Sequence, residues 1–135
     1  MKLIWKVALF FMAVHGICTV SYQYIHEAFL YGVDMNIRYA IFVAIQFGLM
    51  MAQSTYLYKK EPQIQWLKLL SSVFLSYFVG MLVSPVVLEM LGRDMSNANL
   101  LGDGIKLFLG VGIFFSFLSV RIANVIASKK TSLAN

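Results

Sequence analysis

The 135-residue sequence has little charge of either sign and a single cysteine. Asp, Glu, Lys and Arg together make up 13% of it, about half the ~25% typical of a soluble domain. Apolar residues make up 60%, and the mean hydropathy is +0.77. So few charges cannot clothe a water-soluble surface. That excludes a soluble enzyme, a nucleic-acid-binding module and a disordered chain. With only Cys18, an internal disulfide is impossible and a cysteine-based zinc site is not credible. The chain also lacks a histidine pair with a glutamate at helical spacing, a glycine-rich phosphate loop and a plausible Ser/His/Asp set. The expectation is a protein that is not an enzyme and takes no cofactor or metal.

What is present is apolar length. Four stretches are almost free of charge: 7–25, 39–58, 69–88 and 107–128, the last interrupted only by Arg121. A hydrocarbon core about 30 Å thick takes a helix of about 20 residues, so each stretch fits one crossing. Barrel strands would alternate polar and apolar residues over about ten positions, and these stretches do not. The prediction is a single all-α, integral membrane four-helix domain over 1–135, with short loops and no soluble domain. No Asp or Glu lies in the middle of a span, where a proton- or sodium-coupled transporter usually keeps one.

Charge sets the orientation. The N-terminus, the second connection and the C-terminus carry Lys2, Lys6, Lys59, Lys60, Lys68, Arg121, Lys129 and Lys130 against Glu61, a net +7. The opposite side carries Arg38, Arg93 and Lys106 against Glu27, Asp34, Glu89, Asp94 and Asp103, a net −2. Basic residues stay cytoplasmic. The expected location is a bacterial inner membrane, multi-pass, with both termini inside. The basic excess therefore reads as topology and not as nucleic-acid binding. Lys2 and Lys6 before an apolar run imitate a signal peptide, but no small-x-small cleavage site follows, so the first span is expected to be retained. Trp5, Trp66, Arg121, Lys129 and Lys130 are the expected headgroup anchors, Arg121 by snorkelling. Asp103 before Gly104 has the form of an N-cap for span four.

Two rows of small residues follow a step of four: Ala40, Ala44, Gly48 and Ala52 in span two, and Ser72, Ser76, Gly80 and Ser84 in span three. Span four adds Gly112, Ser116, Ser119 and Ala123. Small residues let helices approach closely in lipid. The rows are expected to pack on each other within the chain, to form an oligomer interface, or both. Polar residues are sparse. Gln46 and Gln53 share one face, and Ser119 and Asn124 lie on span four. They either hydrogen-bond between helices or line a weakly polar pore in an oligomer. His15 is mid-span, with no acidic partner nearby in sequence.

The C-terminal half carries a resemblance. Gly80-Met-Leu-Val-Ser84-Pro85-Val-Val-Leu-Glu89-Met-Leu-Gly92 is followed by a polar turn, then by Gly110-Val-Gly112-Ile-Phe-Phe-Ser116, then by Val120-Arg121-Ile-Ala and a lysine-bearing tail. Over about residues 70–130 this is similar to the last two spans of small phage holins and holin-like proteins. The resemblance implies a protein that oligomerises in the inner membrane and opens holes, releasing an endolysin or depolarising the cell. Two features depart from the family: a fourth span, and a second methionine no earlier than Met12. The expected partners are the lipid bilayer and further copies of the chain. The alternatives are an accessory or assembly subunit of a larger inner-membrane complex, docking on another membrane protein, and a small four-span transporter.

Overall fold

The computed structural model describes residues 2–93 and 103–134, with the side chains of 103–107 and 130–134 outside that description. The described residues are helical, without strands: α1 (Leu3–Phe29), α2 (Met35–Lys60), α3 (Trp66–Met90) and α4 (Asp103–Ala134). Each contains a segment long and apolar enough to cross a membrane. Every helix runs past its apolar stretch at both ends. Polar residues at the tips have helical neighbours to bond to and no reason to leave the helix before a turn residue stops it.

The stops are local. Gly32, at φ +88°, turns the chain between α1 and α2, and the Asp34 side chain caps α2 by accepting from the Asn36 backbone N–H at 2.8 Å. Gly92, also at φ +88°, ends α3. There the Arg93 N–H reaches back to the Leu88 carbonyl at 3.0 Å, closing the left-handed terminus that glycine permits. α3 continues through Pro85, which has no N–H to give Met81. The capping geometry expected of Asp103 lies outside the described residues, as does the polar turn before it.

Packing pairs the helices in parallel. α3 lies against α1 along most of its length and α4 against α2, while among the described residues α1 and α4 do not meet. The order around the bundle is α1, α3, α4, α2, with α2 and α3 across the short diagonal. This brings Lys2, Lys6, Lys59, Lys60, Lys68 and Lys129 to one end and Glu27, Asp34, Arg38, Glu89 and Arg93 to the other.

The interior is more polar than the exterior is charged. Among the described residues, thirteen buried apolar side chains lie beside nine buried polar ones, from His15 on α1 to Ser119 on α4. The outside is lined by Leu9, Phe10, Ile17, Ile45, Leu82 and Phe114, among others. In water that arrangement would be inside out. In hydrocarbon it is the stable one, because an unpaired polar group there costs far more than an exposed leucine.

Candidate functional site: a polar seam inside the bundle

The seam starts at the face that α2 turns inward. Gln46, Met50, Gln53 and Leu57 are buried. Residues two apart on a helix point about 200° apart, so burying Gln46 turns Ala44 and Gly48 to the opposite side. Ala40, Ala44, Gly48 and Ala52 are all exposed, and a Cβ on Gly48 would meet nothing within 4 Å.

The row on α3 has the opposite fate. Ser72, Ser76, Gly80 and Ser84 are all buried, so the two rows do not pack on each other. The partner of the α3 row is α1. A Cβ on Gly80 would sit 2.6 Å from the His15 Cβ and 2.9 Å from the Met12 carbonyl oxygen. Ser76 donates to the Ala8 carbonyl at 3.1 Å. Ala8, Met12 and Gly16, four residues apart, form the complementary face of α1. Gly112 on α4 serves the same purpose for an aromatic ring. A Cβ there would lie 2.5 Å from Cε1 of Tyr77, whose ring is 2% exposed.

Three clusters make up the seam. In the first, the His15 imidazole hydrogen-bonds through Nδ1 to the Gln46 side-chain oxygen. The Gln46 amide donates to Thr19 at 3.1 Å, and the His15 and Tyr77 rings meet edge to face, 5.8 Å apart. In the second, the Gln53 amide donates to both Ser72 and Ser76 at 3.0 Å. In the third, Ser54 and Ser119 pair at 3.3 Å, and Ser119 donates to the Ser116 carbonyl at 2.8 Å. Two atoms of this seam are buried without a partner: Nε2 of His15 and the side-chain oxygen of Gln53.

Of the residues expected to line a pore, Gln46, Gln53 and Ser119 thus lie inside the single chain, while Asn124 is on its surface. Thr19, Ser54 and the pairing of His15 with Gln46 were not foreseen. The only sequence signal for them was polarity at mid-span, and for Ser54 its position next to Gln53. Among the anchors, Trp5 and Trp66 are 43% and 53% exposed, and Arg121 and Lys129 are exposed. The Lys130 side chain lies outside the description.

The less basic end is clasped. Arg93 forms a two-pronged ion pair with Glu27 and lies 4.2 Å from the centre of the Tyr24 ring. Hydrogen bonding to Glu27 raises the Arg93 guanidinium above its ordinary value. Nearby, Tyr22 donates to the Arg38 carbonyl and stacks on His26. Among the described residues, no three His, Cys, Asp or Glu side chains gather as a metal site would require. No protein-family model matches the chain, and neither the curated proteins nor the solved structures give a significant match.

Proposed function

We propose that the chain is a multi-pass inner-membrane protein of the holin type, which associates laterally and permeabilises the bilayer. The observation that carries the association is the outward row Ala40, Ala44, Gly48 and Ala52 on α2, which nothing among the described residues covers. The resemblance of residues 70–130 to holins supplies the type of activity. The single chain keeps Gln46, Gln53, Ser116 and Ser119 inside, paired with one another or with neighbouring helices. Permeabilisation then requires the helices to part within the assembly, so that these groups exchange their internal partners for water. The basic end faces the cytoplasm and both termini are inside.

Timed expression in a bacterium should collapse the membrane potential, and a co-expressed endolysin should lyse the cell. Gly48→Leu should keep the folded monomer, since space surrounds that position, and lose both association and permeabilisation. Normal growth and potential at high expression of the native chain would overturn the proposal. So would a Gly48→Leu protein that permeabilises as well as the native one. Purification in mild detergent separates this reading from an accessory subunit, which would bring down a stoichiometric second protein in place of a homo-oligomer.

A further inference from the structure

His15 is 0% exposed and sits where α1, α2 and α3 meet. Its hydrogen bonds define which nitrogen carries the proton. The Thr19 hydroxyl donates to the His15 carbonyl at 2.7 Å, so it can only accept from Gln46. Gln46 therefore turns its amide N–H groups to Thr19 and its oxygen to the imidazole. An oxygen facing Nδ1 requires a proton there. Nε2 is then a bare lone pair, buried and without a partner.

We propose that Nε2 of His15 is a proton-binding site within the bundle, and that proton capture loosens the junction of α1, α2 and α3. The step forms one N–H bond at Nε2 with a proton from the medium and breaks no other bond. Nδ1–H stays on Gln46. The imidazolium then has a second N–H and a positive charge, and nothing around it answers either. From α2 it meets the Gln46 amide, already used. From α3 it meets the Tyr77 ring edge to face, while Gly80 lies against the His15 Cβ at the base of the side chain. On its own helix the neighbouring Thr19 is engaged with Gln46 and lies 3.2 Å from the Met81 sulfur. Among the described residues α4 does not pack on α1, and no carboxylate faces the ring from any of these elements.

A cation so placed is stable only if the helices part and water reaches it. The loosened state therefore binds the proton better than the closed one. By linkage the closed state loses ground as pH falls, by up to about tenfold in the equilibrium per pH unit for one proton. The inference rests on the folded bundle and does not require the holin reading.

The test uses the full chain in bicelles between about pH 8 and about pH 5, the interval in which histidine ordinarily changes charge. Nitrogen NMR of the labelled histidines should show Nε2 of His15 bare at the alkaline end and protonated at the acid end. The thermal midpoint should fall over the same interval. His15→Asn should flatten that fall, while His26→Gln at the bundle end should preserve it. The wild-type spectrum decides even if His15→Asn fails to fold. A proton found on Nε2 at the alkaline end, a ring that stays neutral throughout, or a fall unchanged in His15→Asn would each overturn the proposal. None of these readouts depends on permeation, so a failed lysis experiment leaves the inference standing, and the reverse also holds.

Discussion

Two glycines of similar sequence setting stand in opposite surroundings. A side chain at Gly80 would collide with the base of His15 and the backbone of α1, whereas Gly48 faces open space. A methyl group at position 80 would need α1 to move, because one of the atoms in its way is the Met12 carbonyl oxygen. Gly80→Ala is therefore expected to cost about 1–3 kcal/mol, the usual range for overpacking, measured by unfolding in mild detergent. Gly48→Ala should leave the same measurement unchanged. A second contrast concerns Glu27 and Arg93. Their ion pair joins the ends of α1 and α3 in an exposed setting, where salt screens it. Glu27→Gln should lower the thermal midpoint slightly at low ionic strength, and the difference should vanish at high salt.

At the scale of the helix, the inward face follows from its most polar members. α2 could bury its small-residue row or its glutamines, since the two lie about 200° apart around the helix. It buries the glutamines, because Gln53 in lipid would leave its amide unpaired, while an alanine there costs nothing. Spacing alone separated the two faces of α2, as it did the four long apolar helices and the small-residue rows. It left open which face turns inward, and the expectation that the α2 and α3 rows pack on each other is not met. The pairing of the α3 row with α1 was less so. Its complement on α1 contains Met12 between Ala8 and Gly16, so the pattern of small residues is broken where the backbones come closest. The seam also predicts an asymmetry. Gln53→Leu removes one donor each from Ser72 and Ser76, and the single hydroxyl proton of Ser76 is still taken up between the Ser72 and Ala8 carbonyls, at 2.8 Å and 3.1 Å. The cost should be near the ~0.6 kcal/mol average for such contacts. Ser72→Ala with Ser76→Ala instead leaves the buried Gln53 amide without acceptors. It should cost about 1–3 kcal/mol, read as a lower unfolding midpoint than that of Gln53→Leu. Equal midpoints would show that the glutamine finds other partners.

For the whole molecule, the parallel pairing of α1 with α3 bears on whether the first helix stays. A lysine-led apolar segment at the start of a chain has the form of a cleavable signal, and sequence alone weighs only the missing cleavage site against that. The bundle adds a physical argument. Without α1, the Gly80 groove and the hydroxyls of Ser76 and Ser84 would face outward, and Gln46 would lose both His15 and Thr19. A three-helix remainder would thus present to lipid the groups that the four-helix bundle keeps inside, which is the arrangement a hydrocarbon environment penalises most. If the bundle inserts as proposed, the first helix belongs to it, and four crossings would put both ends on the same side. An epitope at the N-terminus should stay on the membrane-embedded chain at full length. Reporters fused to either end should both give the cytoplasmic signal, while one inserted at Gly32 should give the opposite one. Loss of the N-terminal epitope from the membrane fraction, or opposite signals from the two ends, would mean that α3 finds another cover for its buried face.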